Sequence, residues 1–162
     1  MIHLIVGNTG SGKTTYTTTL KKKTKGIIFS IDTWNNTLFI PDKTDNDGLD
    51  WFLERIERSE RIILDLILQL ENSNTDTILD LGFSKFKHRE KFRVFATKHH
   101  FKIQIHFLDI SSETRYQRIV TRNKEKGDTF EFEVSKEDFS FMENWFEKPS
   151  VAEMKNGVLI KE

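Results

Sequence analysis

Gly7-Asn8-Thr9-Gly10-Ser11-Gly12-Lys13-Thr14 meets every fixed position of the pattern G-x-x-x-x-G-K-[ST]. The apolar run Ile2–Val6 before it predicts a buried strand, and Thr14–Lys25 after it predicts a helix ended by Gly26. Such a turn between strand and helix lets consecutive backbone N–H groups converge on an anion. Lys13 adds a point charge, the Thr14 hydroxyl is placed for Mg²⁺, and the helix contributes its positive end. Thr15 extends the set of candidate phosphate contacts. Chance would produce the pattern in roughly one chain of this length in 200 at ordinary residue frequencies. The flanking strand and helix make chance a poorer explanation still.

The rest of the chain alternates in the same way. Strands are predicted at Gly26–Ser30, Thr77–Leu81, Lys102–Leu108 and Val158–Ile160. Helices are predicted at Asp50–Glu71, at Lys87–His100, from Ser111 or Ser112 to about Lys126, and from a Ser135 cap through Trp145. Residues 31–48 read mostly as loop, with turn residues from Pro41 to Gly48. Strands that are apolar throughout, alternating with helices, predict a three-layer α/β domain around a parallel sheet. Ligands of such sheets sit at the carboxyl ends of the strands. Attention therefore falls on residues 7–14, 30–34, 80–84 and 109 onward.

Composition narrows the chemistry. The 162 residues suit one domain with at most a small flap. The absence of cysteine excludes disulfides, thiolate catalysis and iron–sulfur clusters. Lys+Arg and Asp+Glu are both 25, so a protein that coats nucleic acid is disfavoured. No apolar run is long enough to span a membrane and the first residues carry no basic leader, which points to the cytoplasm. Charge is nonetheless zoned. Residues 32–80 carry twelve acids and four bases, whereas residues 81–108 carry seven bases and one acid. Zones of this kind mark either an anion cleft or solvated helix faces.

Asp32, two residues past the second strand in FSIDTW, is a candidate base for an acceptor hydroxyl or else a helix cap. Asp80 interrupts the apolar strand TILDL, and a carboxylate there needs a partner such as hydrated Mg²⁺ or the Thr14 hydroxyl. Arg115, Arg118 and Arg122 fall on one helical face, suited to phosphoryl oxygens or to a solvated basic surface. Arg89 and Arg93, an i, i+4 pair just beyond the third strand, either hold the acceptor or face solvent, and the solvent reading is preferred. The run Phe130, Phe132, Phe139, Phe141, Phe146 is expected in the core. The five histidines show no metal-ligand spacing. Asn123-Lys124-Glu125-Lys126 begins like a guanine-reading N-K-x-D but lacks the aspartate.

The segments GNTGSGKT, FSIDTW, ILDLGFSKFKHREKF, HFLDISSETRYQRIVTRN and FSFMENWFEKP together resemble the small bacterial P-loop kinases, AAA-like ATP-binding proteins. These group with polynucleotide 5′-hydroxyl kinase, chloramphenicol phosphotransferase and zeta-toxin sugar-nucleotide kinase. The resemblance implies a sheet in strand order 2-3-1-4-5 and a lid at about residues 112–134. It implies ATP and Mg²⁺ on Lys13 and Thr14, Asp32 as acceptor base, and Arg118 and Arg122 as lid arginines beside Asn123. By the same resemblance, residues 147–156 pass near the adenine. One departure bears on the acceptor. Polynucleotide kinases usually carry an arginine shortly after the base, whereas Thr33, Trp34 and Asn35 follow Asp32 here. With the acidic stretch at 42–60, this disfavours a nucleic-acid acceptor. The expectation is an ATP-dependent kinase for a small-molecule hydroxyl. A polynucleotide 5′-hydroxyl kinase and a non-catalytic ATP-binding switch stand as the alternatives.

Overall fold

The structure, a computed structural model, describes residues 1–127 and 133–161. Five parallel strands, β1 (Ile2–Val6), β2 (Ile27–Ser30), β3 (Thr77–Asp80), β4 (Ile103–Leu108) and β5 (Val158–Ile160), pair in the order β2-β3-β1-β4-β5. The helices between them are α1 (Lys13–Thr24), α2 (Ile31–Trp34), α3 (Leu49–Asn72), α4 (Phe86–Lys98), α5 (Ser112–Glu125) and α6 (Lys136–Trp145). This is the expected three-layer α/β arrangement with the expected strand order. Among the described residues no helix is long and apolar enough to cross a membrane.

The alternation of side chains along β1 sorts the core into two faces. Ile2, Leu4 and Val6 pack with Phe29, Ile63 and Ile67 of α3, and Phe92 and Ala96 of α4. Ile5, on the opposite face, packs with Leu20 of α1, Ile78, Leu108 and Ile110. A third small cluster, Ile119, Val134 and Phe139, joins α5 to α6.

Residues 31–42 depart from the expected loop. They run as α2, a π-helical turn at Asn35–Phe39 and a 3₁₀ turn at Ile40–Asp42. The Ser30 hydroxyl caps the start by accepting from Thr33 N–H. No Gly or Pro interrupts the stretch before Pro41, and Trp34 packs on the core against Phe29. Tertiary packing thus overrides the weak helix propensity of Asn and Thr.

Three further expectations change. Arg89 is fully buried rather than solvated, and Arg93 pairs with Glu90 at 2.6 Å. Of the phenylalanine run, Phe139 is buried and Phe146 stacks on Phe107, but Phe141 is exposed against Trp145. Phe130 and Phe132 lie outside the described residues. Part of the basic block at 81–108 is neutralised by acids of other elements. Glu60 of α3 meets His88 and Lys91 of α4 at 2.5 and 2.6 Å, Lys85 meets Glu147, and Arg89 meets Glu153.

Between the sheet and α1 runs a buried polar chain. The Tyr16 hydroxyl lies 2.7 Å from His106 Nδ1, His106 Nε2 lies 2.9 Å from His3 Nδ1, and His3 Nε2 lies 3.2 Å from Asp76. With both imidazoles neutral, the protons can all run one way, from Tyr16 to the Asp76 carboxylate. Burial, followed by the neighbouring His3, pushes the His106 pKa down to about 4. Its folded value thus lies below its unfolded one, so its contribution is complete above pH 6.5 and disappears as pH falls toward 4. Thermal midpoints measured across that window should reveal a loss on the order of 2 kcal/mol, and His106→Phe should flatten the slope.

Candidate active site

The carboxyl ends of β1, β2 and β3 converge on one open cleft of about 250 Å³. The loop after β1 forms its floor with Thr9, Gly10, Gly12, Lys13, Thr14 and Thr15. Asp32 enters from α2 and Asp80 from the end of β3, while Arg118, Ile119 and Arg122 of α5 close the far wall. The sequence-predicted residues at the three strand ends therefore come together.

Within the loop the backbone is set for an anion. Gly10 and Gly12 have φ of +80° and +91°, which side chains tolerate poorly. A Cβ on Gly10 would also lie 2.7 Å from the Arg115 carbonyl oxygen, so close packing of α5 excludes one. Thr9 N–H is taken by its neighbour Asn8 Oδ1, and Ser11 N–H by the Asn8 carbonyl. The N–H groups of Gly10, Gly12, Lys13 and Thr14 meet no backbone acceptor among the described residues. Lys13 Nζ donates to the Gly7 carbonyl at 3.0 Å and lies 3.5 Å from that of Asn8, which arches the loop over it. Gly7, Asn8 and Ser11 thus shape the loop from behind. Asn8 and Ser11 are buried, and none of the three lines the cleft.

Asp80 is a perturbed carboxylate at the end of β3. Burial raises its pKa, Lys13 pulls it back down, and the charge of Asp32 raises it again. A desolvated anion beside a second anion favours a bound cation. No cluster of three metal-ligating side chains exists among the described residues. Mg²⁺ needs no such cluster, since it binds through one or two protein oxygens together with nucleotide phosphates. Thr14 and Asp80 fit it.

Arg115 does not share the cleft-facing role expected from its spacing with Arg118 and Arg122. It is buried, pairs with Glu143 of α6 at 2.7 Å, and donates to the carbonyls of Ile110 and Thr9. The sequence offered no sign that Glu143 was its partner, since 28 residues separate the two. Arg118 Nη1 reaches the Ser11 carbonyl at 3.4 Å. Asn123 serves a structural end: its amide donates to the Val134 carbonyl and accepts from Val134 N–H, closing the base of the connection from α5 to α6.

A glycine-arched anion loop opposite two strand-end carboxylates and a pair of helical arginines is the arrangement of the P-loop kinases. The chain belongs to the AAA domain family (AAA_33), whose model matches residues 2–149. No curated protein matches the sequence. Among solved structures, it is similar to a protein of Chloroflexus aurantiacus classed provisionally as a kinase. The TM-score there is 0.72 at 16% identity, over 99% of this chain and 83% of the other. Kti12 of Chaetomium thermophilum, solved with ADP-AlF3, gives 0.70 at 14% identity, over 99% and 89%. A gluconokinase of Sinorhizobium meliloti gives 0.62 at 16%, over 98% and 81%. At these identities the likeness speaks for the fold.

Proposed function

We propose that the protein is an ATP-dependent phosphotransferase that moves the γ-phosphoryl group of ATP to a hydroxyl of a small molecule. The observation that carries this reading is the placement of Asp32. It lines the same cleft as Lys13, Thr14 and Asp80, but comes from α2 directly after β2 rather than from the nucleotide loop. There it can accept the proton of an incoming hydroxyl as that oxygen attacks phosphorus. Lys13 and the loop amides hold the β- and γ-phosphates. Thr14 and Asp80 would hold Mg²⁺, which would supply positive charge to the phosphates when bound. On the segment at about residues 112–134 expected as a lid, Arg118 and Arg122 face the cleft from α5, where they neutralise the equatorial oxygens. Residues 128–132 of that lid lie outside the described residues.

A small acceptor is favoured over a nucleic acid by the sequence that follows Asp32. Asp42 ends the 31–42 helical stretch and Asp45 and Asp50 follow it, all three exposed, and no arginine follows Asp32 before Arg55. A phosphodiester chain would meet repulsion there.

ADP release from Mg–ATP, measured with and without a pooled extract of cellular metabolites, tests the reading. Extract should stimulate release, and Lys13→Ala should abolish it. Absence of stimulation alongside tight ATP binding would overturn the small-molecule reading. A 5′-hydroxyl oligonucleotide in place of the extract then separates a polynucleotide kinase from a nucleotide-dependent switch.

A further inference from the structure

We infer that Arg115 is a positioning residue that aims the Gly10 amide into the phosphate site. The inference rests on the nucleotide-binding part of the reading above and is independent of the acceptor.

In a trans peptide the carbonyl of one residue and the N–H of the next point in opposite directions. Holding the Thr9 carbonyl on one side therefore sends the Gly10 N–H to the other. Arg115 Nη1 donates to that carbonyl at 3.2 Å from behind the loop, where Arg115 is buried. Gly10 itself lines the cleft. Its N–H meets no backbone acceptor among the described residues, so an anion in the cleft is its natural partner.

The guanidinium is held from several directions. Its Nε donates to the Ile110 carbonyl at 3.0 Å, and Glu143 receives its Nη1 and Nη2 at 2.7 and 2.8 Å. Glu143 also accepts from the Asn8 amide, and Asn8 donates to the Met142 carbonyl. The first half of the loop is thus fastened to both α5 and α6 through one buried ion pair. A planar fork with five donors can make this set of bonds, whereas a lysine cannot. Tying the loop down before nucleotide arrives removes an ordering cost from binding.

Arg115→Lys keeps a cation beside Glu143 but loses the bond to the Thr9 carbonyl. It should weaken Mg–ATP binding about tenfold in titration calorimetry, or about 1.4 kcal/mol. In ¹H–¹⁵N spectra of the wild type, saturating Mg–ATP should shift the Gly10 and Thr14 amides together. In Arg115→Lys, Thr14 should still shift and Gly10 should not. Loss of packing alone would not single out Gly10. Should Arg115→Lys fail to fold, Glu143→Gln leaves the guanidinium in place with a neutral anchor, and a partial loss of the Gly10 response is expected. Wild-type binding with an unchanged Gly10 shift in whichever variant folds would overturn the inference and leave nucleotide binding standing. Absence of ATP binding by the wild type would overturn both.

Discussion

Asp32→Asn is expected to bind Mg–ATP as well as the wild type while losing acceptor phosphorylation by about 10²–10⁴-fold, the usual contribution of a positioned general base. The substitution keeps side-chain size on an exposed position of α2, and the helix cap is made by Ser30 rather than by Asp32. The fold and the phosphate loop should therefore be undisturbed. What changes is charge. The Asp32 anion is one of the causes that raise the Asp80 pKa, so its removal lets Asp80 ionise more readily. Mg–ATP affinity should accordingly hold its plateau to lower pH in the variant than in the wild type. Loss of transfer with retained binding separates a role at the acceptor from one at the nucleotide. Extract-stimulated ADP release at the wild-type rate in Asp32→Asn would sink the assignment.

The parts of this site that were legible in the sequence are those that local chemistry dictates. The pattern from Gly7 to Thr14 works through its own backbone and the helix it starts, so eight consecutive residues announce it. The β strands are apolar throughout because both faces are covered, and their order followed from the resemblance rather than from periodicity. Asp80 could be singled out because a carboxylate in an apolar strand is expensive. What stayed hidden depends on partners distant in sequence. Arg115 looked like its neighbours Arg118 and Arg122 until Glu143 took it behind the loop. The 31–42 stretch carries turn-forming residues, and the Ser30 cap and the packing of Trp34 on the core hold it helical. The charge zones looked like a ligand cleft or a solvated face, but Glu60, Glu147 and Glu153 neutralise part of the basic block.

Arg89 is where that hidden pairing has the largest consequence for stability. Arg89→Ala should lower the thermal midpoint by roughly 10 °C. Arg89 is fully buried, and its guanidinium makes four bonds: Nε and Nη2 to the Glu153 carboxylate, at 2.7 and 3.3 Å, and Nη1 to the carbonyls of Phe83 and Glu147, at 3.1 and 2.9 Å. Burial alone would raise the Glu153 pKa, but Arg89 and the Ser150 contacts bring it below the usual carboxylate range. Truncation leaves that carboxylate buried without its counter-charge and strands two carbonyls. Breaking a buried pair from one side costs about 3–5 kcal/mol, and a domain of this size loses about 2–4 °C per kcal/mol. Replacing both partners, as Arg89→Met with Glu153→Met, should recover much of the loss, because an apolar pair removes the uncompensated charge. Arg89 also ties the loop that leaves β3 to residues 147–153, and Asp80 sits at the start of that loop. Arg89→Ala should therefore weaken Mg–ATP binding at temperatures where the protein is still folded, and the double substitution should restore stability more fully than binding. A midpoint within about 2 °C of wild type for Arg89→Ala, set against the scale above, would show that residues 147–153 are anchored by other contacts.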